Sequence, residues 1–527
     1  MTPIRFAFAI LTLGLLASCS NSETGNTTTS ATNTLEAHRP GFHFTPSAHW
    51  MNDPNGMVYY EGEYHLFYQY YPDSTVWGPM HWGHAVSKNM VEWEHLPIAL
   101  YPDSLGLIFS GSAVVDWNNT SGFGQNGQPP LVAIFTHHDL DRERAGKEPM
   151  TWEYQSLAYS NDKGRTWTKY AGNPVLPNPG FRDFRDPKVI WVAEQKQWIM
   201  ALAVNDHTQF WASPDLKKWS HLSDFGKTWG KHEGVWECPD LFPMAIEGTQ
   251  EQRWVLIQNL NPGGRHGGSG TQYFVGNFDG KQFTIDPDFL PALTPEGSNR
   301  AVWLDWGRDN YAGVTWSDVP ASDGRRLFLG WMGNWAYAQV VPTETWRSAM
   351  TLPRKLSLRK TPQGLRVFSE PVKELESLRG AKTPIAAQTI EGALELPALN
   401  PAQLELMLEI EPEAGATFSV ELSNSKGEVY RIGYEAAKQQ FFSDRTRSGK
   451  TAFSEDFAKD ILTAPRSSTD GKVQLHFFFD RASVELFADQ GAMNMTEIFF
   501  PNEDYSKIRL VATGGKVKLL KAEAFAL

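Results

Sequence analysis

The sequence predicts an all-β protein: a five-bladed β-propeller followed by a C-terminal β-sandwich. Three observations predict it. From about residue 38 onward helical periodicity is nearly absent, and short β-branched and aromatic runs alternate with Gly, Pro, Asn and Asp. A hairpin then recurs at 85–93, 158–167, 211–219 and, more loosely, 275–283. Each copy is a strand end, a small polar residue, a charged turn, and an aromatic (Trp93, Trp167, Trp219, Phe283) that opens the next strand. The aromatics stand 74, 52 and 64 residues apart, which fits one four-stranded blade plus variable loops. About 320 residues at that interval make roughly five blades. A generic sandwich would not repeat a hairpin with its aromatic in the same place. Thirdly, beyond about Leu356 the pattern changes to longer alternating strands, as in an antiparallel sandwich.

The chain has 527 residues, enough for two or more sizeable cores. It opens with Arg5 and an apolar run at 6–16, too short to span a bilayer and suited to a signal peptide. That run ends in Leu16-Ala17-Ser18-Cys19, which resembles a bacterial lipoprotein cleavage box. Residues 1–19 therefore read as a lipoprotein signal peptide, with Cys19 the lipidated residue. Residues 20–37, rich in Ser, Thr, Asn and Gly, read as a flexible tether. The only other cysteine is Cys238, so the mature chain can form no internal disulfide. The expectation is an exported protein, lipid-anchored to a bacterial envelope, periplasmic or surface-exposed. It touches the membrane only through the anchor and is expected to be monomeric.

The propeller is expected over 38–357. Near its start stands His49-Trp50-Met51-Asn52-Asp53-Pro54-Asn55-Gly56. Pro54 presets φ and Gly56 permits positive φ, so a tight turn should aim Asp53 from a strand end. Two strand-like runs follow, joined through Glu61-Gly62-Glu63 as a hairpin. Residues 139–148 carry dense charge and read as a solvated insertion. The Gly-rich stretch 262–270 lacks the strand–helix context of a phosphate cradle and reads as a rim loop. A linker is expected over 358–380, with a polar helical connector at 371–379, and the sandwich over 381–527. The alternation Leu404, Leu406, Leu408, Ile410 opens it, and no catalytic constellation lies within it.

A net charge of −12 disfavours a nucleic-acid-binding face. The 20 Trp, 31 Phe and 16 Tyr fill a large β core and also suit the apolar faces of sugar rings. Three carboxylates occur in similar turn-like, aromatic-flanked settings: Asp53; Asp186, in Arg185-Asp186-Pro187; and Glu237, in Trp236-Glu237-Cys238-Pro239. They lie 133 and 51 residues apart, on different expected blades, and the innermost strands of a propeller converge on its axis. Three converging acids repel, so one must be protonated. Arg185 is expected to keep Asp186 ionised, and Glu237 is expected to have a raised pKa. One ionised and one protonated carboxyl is what glycoside hydrolysis requires.

The stretches 50–56, Phe109-Ser110-Gly111-Ser112, Arg185-Asp186-Pro187, Glu237-Cys238-Pro239 and Asp309-Asn310-Tyr311-Ala312 resemble the successive motifs of glycoside hydrolase family 32, the β-fructosidases. The resemblance runs from about His38 to the C-terminus. It implies a five-bladed propeller plus sandwich and retention of anomeric configuration. It implies Asp53 as nucleophile, Asp186 as transition-state stabiliser and Glu237 as acid/base. By motif match Asn52 and Gln69 bind the fructosyl unit at the pocket base, and Trp50, Trp77 and Phe109 wall it. Ser110, Arg185 and Asp186 bind its hydroxyls, Tyr311 stands near the acid/base, and Trp331 and Trp335 line the rim.

No cofactor is implied. His81, His84 and the His137-His138-Asp139 run lack the spacing of a closed zinc site on one element, so no metal site is expected. The expected activity is exo-release of fructose from fructans such as levan or inulin. The rivals are a sucrose-preferring invertase, an endo-acting fructanase, and a non-catalytic surface glycan-binding protein.

Overall fold

The computed structural model describes residues 36–146, 151–293, 301–397 and 399–527. Residues 1–35, with the leader, Cys19 and most of the expected tether, lie outside the described residues. Five antiparallel sheets follow one another along the chain, each begun by a strand buried along most of its length. These first strands are His49–Tyr60 (blade I), Leu107–Val115 (II), Phe184–Val192 (III), Val235–Ala245 (IV) and Tyr311–Thr315 (V). Each touches the first strand of the next blade, and blade V touches blade I, so the five form a ring around one axis. Trp346–Arg347 closes the ring by pairing in parallel with His49 and Trp50.

The repeated hairpin falls at one place in blades I to IV, between the third and fourth strands. Its chemistry also repeats. The indole Nε1 of Trp93, Trp167 and Trp219 donates to the carbonyl of Met90, Gly164 and Leu216, at 3.1, 3.0 and 2.9 Å. Each accepting residue has positive φ (63°, 78° and 63°). Asn89, Asp162, Asp215 and Asp279 accept from backbone N–H groups of the turn. The repeat is thus a side-chain-capped turn, locked in three blades by an indole.

Blade V is built differently. Its outer strands are Arg354–Thr361 and Gly364–Pro371, paired from Arg354 with Pro371 to Thr361 with Gly364. The propeller sheet therefore continues to Pro371, past the expected boundary at residue 357. Blade V lacks the aromatic hairpin, so its outer strands had no repeat to reveal them. The connector is a short 3-10 helix, Lys373–Leu378.

In the C-terminal part a single 20-residue strand, Lys507–Ala526, serves both layers of the sandwich. Its first half pairs with Thr417–Ser423 and its second with Gln403–Pro412. The change of partner falls at Gly514-Gly515, where Gly514 has φ 69°. Leu406, Phe418, Phe477 and Leu510 pack in the core between the layers. The sandwich meets the propeller through buried charge. Arg354 bonds Asp305 at 2.9 Å and also Glu485, Arg445 bonds Asp309 at 2.6 Å, and His43 lies between Asp480 and Glu485 at 2.7 and 3.1 Å. Burial acts against the charged imidazole, but the two carboxylates outweigh it and push His43 up to about 9.

Candidate active site

All five innermost strands are interrupted at the same level. In each, two residues stand opposite one on the neighbouring strand: Asn52-Asp53, Phe109-Ser110, Asp186-Pro187, Cys238-Pro239 and Ala312-Gly313. These are β-bulges, which re-aim a side chain without ending the sheet. Proline explains two of them directly, because Pro187 and Pro239 cannot donate to the ladder. Asp186, Cys238 and Ala312 hold φ at 64°, 44° and 54°, a conformation that costs a non-glycine residue about 1–3 kcal/mol. The expected tight turn around Asp53 is not a turn. His49–Tyr60 runs as one strand, and the bulge does the aiming. The Glu61-Gly62 hairpin is present, with φ 46° and 91°.

The bulges bring the three acids to the floor of a cleft of about 300 Å³ at one end of the axis. Asp53 accepts from Asn52 Nδ2 at 2.9 Å and from Ser110 Oγ at 2.8 Å. Asn52 is held in turn by Trp50 Nε1 at 2.7 Å. The Cys238 thiol lies 3.6 Å from carboxylate oxygens of both Asp53 and Asp186, and its backbone N–H donates to Asp186 at 3.0 Å. Glu237 accepts from Arg185 Nη2 at 3.0 Å and, on its other oxygen, from the Tyr311 hydroxyl.

Arg185 does not hydrogen-bond Asp186. Asp186 sits in the bulge with φ 64°, which breaks the alternation of the strand, and the guanidinium turns instead to Glu237, to Glu153 at 3.1 Å and to Asp183 at 2.6 Å. The expectation that Arg185 keeps Asp186 ionised is therefore corrected. Burial, opposed by Arg185 and reinforced by the Glu237 and Asp53 carboxylates, pushes Asp186 up to about 8. Burial also raises Glu237, against Arg185 and Tyr311, and raises Asp53, against the donors from Asn52 and Ser110. Glu153 goes the other way. Burial acts to raise it, but the Arg185 charge holds it below the usual carboxylate range. Asp186 thus keeps a proton at neutral pH, while the Arg185 charge favours the ionised form of Glu153.

Asn52, Gln69, Trp77, Phe109, Ser110, Arg185 and Trp335 line the cleft with the three acids. Trp50, Tyr311 and Trp331 do not. Trp50 and Trp331 are fully buried and Tyr311 nearly so, one layer behind the wall. Trp50 and Trp331 pack against Trp335, with ring centroids 5.8 and 5.0 Å away. Ser110 is engaged with Asp53 rather than left free. The cleft also holds residues the sequence did not single out as site residues: His138, Glu143, Trp152, Glu153, Arg182, Asp183 and Gln339. Asp183 was legible as a neighbour of Arg185. Glu153 sits in an ordinary third strand with no turn or motif around it. His138, weighed only as a metal ligand, stacks on Phe109 at 4.3 Å and bonds Glu143 and Glu153 at 3.0 and 3.3 Å.

Residues 43–371 match the model of the glycosyl hydrolases family 32 N-terminal domain, and residues 374–526 that of the family 32 C-terminal domain. The chain is 48% identical over 489 residues to a levanase of Bacillus subtilis (strain 168), covering 92% of this chain and 69% of that protein. It is 38% identical over 525 residues to an extracellular exo-inulinase of Aspergillus awamori, covering 94% and 96%. A crystal structure of exo-inulinase from Aspergillus awamori superposes with a TM-score of 0.86 at 36% identity, over 94% of this chain and 99% of that one.

Proposed function

The chain belongs to glycoside hydrolase family 32, and from that premise we propose that it is a retaining exo-β-fructosidase that releases fructose from the ends of fructans. The observation that carries this reading is the closed floor of the cleft. Behind Asn52, Gln69 and Asp186, themselves almost buried, lie the fully buried Trp50 and Trp331 and the axis-lining core, so a polymer cannot thread through. The exo-inulinase relative supports cleavage at a chain end. The levanase and exo-inulinase relatives support a fructan over sucrose.

In the first step Glu237 gives its proton to the glycosidic oxygen while Asp53 attacks the anomeric carbon, forming a fructosyl-enzyme. In the second step Glu237 takes a proton from water, which releases fructose with its configuration retained. Ser110 and Asn52 orient Asp53 by the two hydrogen bonds it accepts. Tyr311 and Arg185 hold the two oxygens of Glu237. Asp186 faces the same floor. Its proton passes to solvent water as the substrate binds, and the carboxylate left behind faces the positive charge that develops on the ring. Trp77, Phe109 and Trp335 supply the walls.

The test is the product profile on levan, inulin and sucrose from the first minutes of reaction. Fructose alone, faster from a polymer than from sucrose, is expected. Longer oligosaccharides at early times would mean endo cleavage, and a strong preference for sucrose would mean an invertase.

We further propose export followed by acylation of Cys19, supported by the residue pattern before it and by the extracellular exo-inulinase relative. Each buried CH₂ of an acyl chain contributes about 0.8 kcal/mol, so two or more chains hold a protein on a membrane. Cys19→Ala should move the protein to the soluble fraction or block its processing. Unchanged membrane fractionation would count against acylation. The protein is proposed to act as a monomer, which light scattering of the purified chain checks.

A further inference from the structure

A second cavity, of about 330 Å³, lies at the opposite end of the propeller axis from the three acids. The innermost strands run from one to the other: Ser110 to Val115, Asp186 to Trp191, and Glu237 to Leu241. At about 3.3 Å per residue the two ends are roughly 15 Å apart.

Trp117 lines this cavity, and at 61% it is the most exposed of the large apolar residues among those described. Its indole is not free to swing. Nε1 donates to Asp318 Oδ1 at 2.9 Å, and the other oxygen of Asp318 accepts from Val115 N–H at 2.8 Å. A flat ring is therefore presented in a fixed pose, which lowers the ordering cost of binding.

The interior is polar and only partly satisfied. Asp240 is fully buried and accepts on Oδ2 from Thr315 N–H at 2.6 Å, while its Oδ1 has no partner. Arg326 lies with its guanidinium 4.7 Å over the Phe242 ring and makes no hydrogen bond among the described residues. The cavity thus offers an unused donor fork and an aromatic face. Its charges balance, Lys188 and Arg326 against Asp240 and Asp318, because Arg325 is tied to Asp323 and Glu374. A balanced cavity favours a neutral ligand over a phosphate or sulfate. Sugar hydroxyls both donate and accept, and a sugar's apolar face stacks on an indole.

We propose that this cavity is a second, non-catalytic saccharide site that holds polymeric fructan on the enzyme. The choice of fructan rests on the activity proposed above. A polymer caught here stays close to the catalytic pocket, which raises the local concentration of chain ends without touching the chemistry.

Two measurements test it. In protein carrying Asp53→Asn and labelled with 5-fluorotryptophan, the Trp117 resonance is the one lost in Trp117→Ala. It should shift on titration with a fructo-oligosaccharide and stay in place with maltopentaose. In otherwise unaltered enzyme, Trp117→Ala should raise KM for levan or inulin by about 3- to 10-fold, the range of one aromatic stacking contact. Its kcat, and its kcat/KM on sucrose, should not change. A Trp117 resonance that ignores the fructo-oligosaccharide, an unchanged polymer KM, or an equal loss on sucrose and polymer would each overturn the site. If the unaltered enzyme releases no fructose from either polymer, the activity reading fails, and the Trp117 resonance still reports on the site alone.

Discussion

Asp53, Asp186 and Glu237 share one floor but sit in different company, so they should fail differently. Asp53→Asn removes the nucleophile, and activity should fall to background on every substrate. Asp186→Asn keeps both reacting groups but loses the charge that answers the developing cation, so kcat should collapse while substrate still binds. Asparagine tolerates the left-handed backbone at this position, so the loss is one of charge rather than fold. Glu237→Gln removes the proton donor, a loss on the order of 10²–10⁴ for a natural leaving group. An activated aryl fructoside needs no proton for the first step, so it should give a burst and then slow turnover. Azide needs no base and should restore turnover in Glu237→Ala but not in Asp186→Asn. Failure of rescue in Glu237→Ala, or normal activity of Asp53→Asn, would sink these roles.

Single strands explain how such residues come to be aimed. Five bulges at one level turn five strands toward the axis, and the strain at Asp186, Cys238 and Ala312 is held by the sheets on either side. Glu153, on the third strand of blade II, ties that blade to the first strand of blade III by accepting from Phe184 N–H at 2.6 Å and from Arg185. It also draws the guanidinium away from Glu237. Glu153→Gln removes that competitor together with a nearby negative charge, and both effects favour ionised Glu237. The pKa of Glu237, raised in the wild type, should fall. The acid form is then lost at lower pH, so the basic limb of the kcat/KM profile should move to lower pH. A profile that loses height without moving would show Glu153 to be only a structural tie.

The propeller and sandwich are joined by charges buried in their shared interface, within one compact unit, His38–Leu527. Arg445 faces Asp309 and Glu497 at 2.6 and 3.2 Å and also the Tyr337 hydroxyl. Burial, against Arg445 and with Asp309, pushes Glu497 up to about 8. Removing one partner of a buried ion pair leaves the other uncompensated, at a cost of about 3–5 kcal/mol. Arg445→Met should therefore lower unfolding free energy by about that amount in urea denaturation. Glu497→Gln replaces a group already protonated at pH 7 by its neutral isostere and should cost much less. The gap between Glu497→Gln and wild type should shift in favour of the variant as pH rises from about 4.5 through 8. Over that range wild type loses the stabilisation of a proton held more tightly folded than unfolded. Equal losses in the two variants would mean that the interface reads volume rather than charge.

The sequence alone determined the class of the fold, the repeat and the three acids, and for physical reasons. A blade's outer hairpin is local, so Trp93, Trp167 and Trp219 each carry their own turn chemistry within ten residues. Asp186 and Glu237 stand just before Pro187 and Pro239, which cannot donate to a ladder and so mark where a strand is interrupted. Only the tertiary structure decided the rest. Blade V runs to Pro371 because of pairing that no local signal announces. Trp50, Tyr311 and Trp331 stand behind the wall because depth in a core is set by everything packed in front of it. Arg185 serves Glu237 and Glu153 rather than its neighbour in sequence, because partners from other strands and blades stand around its guanidinium. Where the protons reside follows from burial and from distances between residues on different blades, and neither is written in any one stretch of chain.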